Sequence, residues 1–344
     1  MRARFQTLLA LIFAFVFTSS VFAQHEDPKN AAPYYTSAIE NLPAFTDEQW
    51  ALIIDIDPNK DFDPIRPILS RAFRSIDSAM RGSRLPYCDF DLDYSQGLEL
   101  LLPHLGPLRN VARLMHAQAL LQLHDNNPSA ASATIAAMYR MANHLSADRT
   151  LISSLVAAAI FSLADSTSQA AFDRMLFSAS DSATLYGAVS SIPAHDPFAF
   201  GEAIAMEQST LVDEFDRHFT QDEIPADFLQ SIQDPDTPPN PLITQIAEEG
   251  SFDQELQRYD EFMTKVVSAF TNPDDEQAAA QLAELEKSCA AGDAGLLAQL
   301  LSPAFSRVHQ MMLKNQASLA DRLAMLKNQM EGAEPPIQAA NAAL

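Results

Sequence analysis

The chain has 344 residues, 47% of them hydrophobic, and 45 Asp and Glu against 22 Lys and Arg give it a formal net charge of −23. So acidic a chain repels nucleic acid and anionic lipid surfaces, and so apolar a one has ample material for one large core or two lobes, which excludes a disordered class. Two cysteines some 200 positions apart, Cys88 and Cys289, make no Cys-x-x-Cys metal pattern; an export compartment would permit a bridge between them without requiring one.

The first 23 residues read as an export signal. Arg2 and Arg4 precede an uncharged apolar run from Leu8 to Phe17, and Val21-Phe22-Ala23 suits a cleavage site before Gln24. The run is shorter than the ~20 apolar residues a bilayer span needs. Cleavage after Ala23 removes two arginines and no acid, taking the formal charge from −23 to −25. The expectation is an exported protein, periplasmic or extracellular, with no transmembrane span once the signal is gone.

Helix start signals recur along the rest. Asp63-Pro64, Asn127-Pro128, Asp196-Pro197, Asn240-Pro241, Asn272-Pro273 and Ser302-Pro303 each offer a side-chain acceptor followed by a proline, which misses no donor at the first helical position. Thr46-Asp-Glu-Gln49 and Ser251-Phe-Asp-Gln254 read as capping boxes. Together with apolar periodicity they predict helices at about 30–42, 47–55, 64–81, 107–124, 128–145, 149–176, 180–191, 197–219, 252–270, 273–290 and 303–331. The only competing β-branched run is Ile53-Ile54-Asp55-Ile56.

This is an all-α pattern, either a multi-helix bundle or an α-solenoid-like array of antiparallel hairpins. Leu151 to Ala164 is its most apolar internal run and reads as a central buried helix. The breaks at 192–197 and 233–241 suggest an N-terminal lobe over 24–192 and a second over 193–332, although one continuous body fits equally. The last helix is long and amphipathic, with Phe305, Val308, Met312, Leu319, Leu323, Leu326 and Met330 on one face, and Gly332 then Pro335-Pro336 stop it. A loose tail is expected over 333–344.

Unusual side-chain chemistry coincides with strong helical pattern only between Leu85 and Ala164. Asp89, Asp91 and Asp93 alternate along an aromatic segment, and Arg109, Arg113 and His116 follow at i, i+4 and i+7, with Arg140 and His144 sharing a face of the next helix. Two readings compete. In one, Arg109, Arg113 and Arg140 bind an anionic group, with His116 or His144 as general base and the three aspartates beside them. In the other, which we favour, each arginine takes one aspartate and pins the 86–97 segment to the bundle.

The alternating acids at 89–93 and at 55–63 also resemble calcium-loop ligands. Both stretches lack the glycine at the sixth position (Tyr94 and Lys60 instead) and the glutamate at the twelfth (Leu100 and Arg66), so helix caps and solvated acids are expected, with no metal and no cofactor. There is no His-Glu-x-x-His, no Gly-x-Ser-x-Gly and no phosphate-cradling glycine loop.

Pro86-Tyr87-Cys88 with Phe90 and Asp93, Leu101-Leu-Pro-His-Leu105, Arg109, Ala112-Arg113, Ala142-Asn-His144, Leu151-Ile152 and Leu155-Val156 together resemble a group of uncharacterised, exported, all-helical bacterial proteins. The hairpin formed by 107–124 and 128–145, with small residues Ala119 and Ala131, resembles one tetratricopeptide-type unit without a second copy. These resemblances imply a helical fold and an export signal, and no activity. The function expected is a non-enzymatic interaction or structural module of the cell envelope with a protein partner. The alternative is a hydrolase- or lyase-like enzyme using Asp, His and Arg of the 86–145 core.

Overall fold

The computed structural model describes residues 27–57, 61–218, 252–302 and 304–332. Within them the chain forms twelve α-helices, two short 3-10 segments and no strand. The helices are α1 Ala32–Glu40, α2 Asp47–Ile54, α3 Arg66–Gly82, α4 Leu105–His124, α5 Pro128–Leu145, α6 Leu151–Asp173, α7 Ala179–Val189, α8 Phe200–His218, α9 Phe252–Phe270, α10 Asp275–Ala291, α11 Leu296–Leu301 and α12 Phe305–Glu331. The export signal, the 233–241 break, the starts at Asn240 and Ser251 and the tail over 333–344 lie outside the described residues.

Local capping explains most of these boundaries. Thr46 and Gln49 form the expected reciprocal box at the start of α2, and the Asn127 side chain accepts the Ala130 amide at the start of α5. Three Asx-Pro signals instead open a turn ahead of the helix, as these residues do when proline takes the second turn position. Asp196 reaches forward to accept the amides of Phe200 and Gly201, both at 2.8 Å. At 272–274 the cap is Asp274, and Asn272 accepts the Asp274 amide. At 63–66 the helix begins at Arg66, and Asp63 pairs with the Arg66 side chain. The short α11 falls outside the expected helices, being too brief for a helical period to show.

Helix α5 is the hub, packing against α3, α4, α6 and α7. Its Ile135, Met138, Tyr139 and Met141 are fully buried, and Tyr139 meets Phe161 of α6, which meets Phe198. Burying a Phe or Leu of this kind contributes about 1.5–3 kcal/mol each. Gly82 ends α3 against α1 so closely that a Cβ there would lie 2.9 Å from the Tyr34 Cβ. Helix α6, at 23 residues, is long and apolar enough by length and composition to cross a membrane. It packs against α4, α5 and α8 and buries Ser153, Ser154, Thr167 and Ser168 together with its apolar face.

Helix α12 returns to α6, α7 and α10, so the last element closes onto the first half of the chain. The expected apolar face is buried at Phe305, Val308, Met312, Leu319 and Leu326. Polar groups add register to it. Arg322, 3% exposed, donates Nε to the Asp165 carboxylate at 2.7 Å and Nη2 to Gln169 at 3.1 Å, and its guanidinium lies over the Phe172 ring. Tyr139 donates to the same Asp165 oxygen, and Gln329 bridges Ser182 and the Phe177 carbonyl.

Candidate functional site

The 86–94 segment is irregular, turning at Asp91 with φ 54°, and its side chains alternate between two environments. Cys88 is buried and Phe90 and Leu92 are half-buried against the bundle, whereas Tyr87, Asp89, Asp91 and Asp93 face outward. The carboxylates stay in water and bond locally: Asp89 accepts the Asp91 amide, and Asp93 caps the 3-10 turn Tyr94–Glu99 through Ser95. The Ser95 and Gln96 side chains and the Ser95 amide hold Asp93 below the ordinary carboxylate range.

This corrects the expected pinning of the segment by arginine. Among the described residues no ion pair joins Asp89, Asp91 or Asp93 to Arg109 or Arg113. Arg109 is exposed, and Arg113 donates to Asn110 on its own helix at 2.9 Å. Burial, then the neighbouring Arg109 charge, lowers the Arg113 pKa. Arg140 is half-buried, and its pKa is lowered by burial and by Arg84. The aromatic residues of the segment, Tyr87 and Tyr94 included, do not draw its acids out of water. Both tyrosines remain over a third exposed, and acids that stay solvated need no cation.

The two candidate histidines point to different places. His116 bonds through Nδ1 to the Thr167 hydroxyl of α6 at 2.6 Å. That hydroxyl donates to the Leu163 carbonyl, so the imidazole is the donor. His144 accepts from the fully buried Tyr35 hydroxyl at Nδ1 (2.8 Å) and donates from Nε2 to the Leu85 carbonyl (3.1 Å), which occupies both ring nitrogens. Burial lowers each histidine to a pKa of about 4, the Leu85 carbonyl opposing and Arg140 adding to the effect at His144. Burial, then Cys88, pushes the Tyr35 phenol up.

What binds the segment to the bundle is a cluster that the sequence pattern does not single out. His104 and Asp148, 6% and 4% exposed, meet through Nε2 and Oδ2 at 2.8 Å. Ser153 donates to the same carboxylate oxygen at 3.0 Å, Thr150 donates to Ser153, and Tyr94 donates to the Asp148 carbonyl at 2.6 Å. Phe90 stacks on the His104 ring with centroids 4.0 Å apart. Arg149, left-handed at φ 53°, turns the chain so that Asp148 points in while its own side chain pairs outside with Glu202.

These residue types are those of a hydrolytic triad, but the connections do not make one. The serine bonds the carboxylate and not the imidazole, so no base stands ready to take its proton. The sequence signal was present in Asp148-Arg-Thr-x-x-Ser153, an acid at a helix break followed by an N-cap and its partner.

On the outer side of the same segment lies an open cleft of about 850 Å³, whose lining includes Asp27, Glu40, Asp89 and Asp91 with Asn30 and Phe90. Asn30 builds it. Its Nδ2 donates to the Asp89 carbonyl at 2.8 Å, and its Oδ1 accepts the Asp89 and Ala32 amides at 2.9 and 3.0 Å. The Ala31 amide bonds the Tyr87 carbonyl, and the Tyr87 hydroxyl donates to Asp27. The cleft is thus a fixed acidic surface with four carboxylates and, among the described residues, no lysine or arginine in its lining.

Among the described residues no group of three or more His, Cys, Asp or Glu stands in metal-holding geometry. Cys88 and Cys289 are free thiols, and burial raises both pKa values. Comparisons with protein-family models, with curated proteins and with solved structures found no match to this chain.

Proposed function

We propose that this chain is an exported, non-enzymatic interaction module of the cell envelope, and that its acidic cleft receives a basic segment of a protein partner. The observation that carries this reading is the cleft itself, with Asp27, Glu40, Asp89 and Asp91 gathered along its walls and no cation among the described residues that line it. Such a surface raises the local concentration of cationic groups and favours their docking. Arg2, Arg4 and the Leu8–Phe17 run support export, and the net charge of −23 argues against nucleic acid as the partner.

The hydrolase- or lyase-like alternative has less support. It asks for an imidazole with an available nitrogen beside a carboxylate at a pocket wall. His144 has both nitrogens bonded, and His104 is buried beneath Phe90 with its carboxylate shared by Ser153.

The test is capture from the envelope fraction with the chain from Gln24 onward, comparing wild type with the Glu40→Gln, Asp91→Asn double variant. The expected result is a partner with a basic segment that is retained at low salt, released at high salt, and lost with the variant. Equal retention by both proteins would contradict the reading.

A further inference from the structure

A second, smaller cavity of about 330 Å³ lies on another side of the 94–102 segment, between it and helices α6 and α8. Its walls are mostly apolar: Leu100, Leu102 and Met206 are half-buried, Leu211 is buried, and Ile152 stands exposed at the mouth. Set among them is one carboxylate, Glu207 of α8. Helix α6 explains why an acid sits there. Thr150 caps the helix by accepting the Ser153 amide, and the Leu151 amide of the same first turn lies close enough to the Glu207 carboxylate to lower its pKa.

One nearby amide leaves open most of the four acceptor sites of a carboxylate. Among the described residues no lysine, arginine or histidine lines the cavity, and Glu207 has no ion pair. Burial accordingly raises its pKa, against the lowering effect of the Leu151 amide. An unpaired acid partly withdrawn from water is costly, and a cation supplied by a ligand would reduce that cost. Gly97, at φ 57°, keeps the wall thin on the side where Glu214 lies. Tyr94 and Thr210 complete the polar fringe. The volume sits at the low end of the range for small-molecule sites.

We propose that this cavity binds a small cationic amphiphile, its ammonium paired with Glu207 and its apolar body lodged against Leu100, Leu102, Ile152, Met206 and Leu211. The site is distinct from the acidic cleft, and it can hold whether or not the cleft receives a basic partner. An anionic amphiphile is disfavoured by the same carboxylate, and a neutral one forfeits the ion pair.

Calorimetric titration of the full chain with n-octylamine, n-octanol and n-octanoate tests this. The expected order is octylamine bound at one site at least about tenfold more tightly than octanol, with octanoate weakest, since a hydrogen bond to a charged group is worth that factor or more. Glu207→Gln should reduce octylamine to the level of octanol. Because that variant also alters the surroundings of the α6 N-terminus, Thr210→Lys serves as a second: it supplies an internal ammonium, keeps the carboxylate, and should abolish the preference for the amine in a folded protein. The acidic-cleft variant Asp91→Asn should leave octylamine binding unchanged, which separates a seated amine from one attracted by net charge. Octylamine no tighter than octanol, binding that survives Thr210→Lys, or no saturable binding of any of the three would overturn the proposal.

Discussion

The two sides of the 86–94 segment carry similar residue types and have opposite physical states. On the bundle side, His104, Asp148, Ser153, Thr150 and Tyr94 use their donors and acceptors on one another, closed over by Phe90. On the solvent side, Asp89 and Asp91 spend backbone and carboxylate atoms on shape alone and keep their charge facing an open cleft. Which way each side chain of the segment faces, and not composition, separates a structural polar cluster from a charged docking surface. Closed polar clusters rigidify a fold, while unpaired surface charge is what a partner can read.

The contrast can be broken most forcefully from the inside. Asp148→Ala leaves the buried His104 and Ser153 donors unpaired, and should cost about 3–5 kcal/mol in denaturant unfolding. The outward Asp91→Asn should leave the unfolding midpoint unchanged, since asparagine accepts the left-handed backbone that Asp91 adopts at φ 54°. Equal effects of the two would erase the distinction.

A pH titration sharpens the same point at Tyr35 and His144. The His144 pKa is about 4 in the folded protein against an ordinary 6.5, so the unfolded chain takes up a proton there before the native one does. Its contribution to stability is therefore complete above about pH 6.5 and is lost as pH falls toward 4, by on the order of 3 kcal/mol. Unfolding curves across that interval should be steeper in pH for wild type than for His144→Leu. Identical slopes would mean that the imidazole is not held neutral by burial.

A smaller effect is expected where α12 closes the bundle. Arg322→Met leaves the Asp165 carboxylate, 22% exposed, to Tyr139 alone, and should lower stability by about 2 kcal/mol. The outer pair Arg66–Asp125, 41% and 40% exposed, has bonds just as short, at 2.6 and 2.8 Å, yet Arg66→Met should change the melting temperature hardly at all, because solvent screens it. Burial, not bond length, decides between them.

Much of the fold was legible because helix periodicity and caps are local. Asn127-Pro128 and Thr46-x-x-Gln49 act where the sequence places them, and the α12 apolar face is buried as its spacing requires. The site was less legible, for a physical reason. Arg109, Arg113 and Arg140 stand out as charges at helical spacing, but which acid meets a cation depends on how far each side chain is drawn from water, and that is set by tertiary packing. His104 and Asp148 are 44 positions apart, and although Asp148 sits at a recognisable helix break, nothing local announces its contact with His104. Arg322 is hidden differently, as a charge inside an apolar stripe that reads from sequence as its solvent edge. The inward alternation of Cys88, Phe90 and Leu92 is visible in the residues, yet whether the aspartates between them stay solvated depends on what packs against the segment.

The most direct test of the docking surface is a titration of the chain from Gln24 with deca-lysine at low ionic strength, using two charge-matched variants. Glu40→Gln with Asp91→Asn removes two charges from the cleft, and Glu276→Gln with Asp321→Asn removes two exposed charges on α10 and α12. A docking cleft predicts saturable binding that the first variant weakens and the second preserves. Equal weakening by both would show that the peptide responds only to net charge, and would contradict the cleft as the site of recognition.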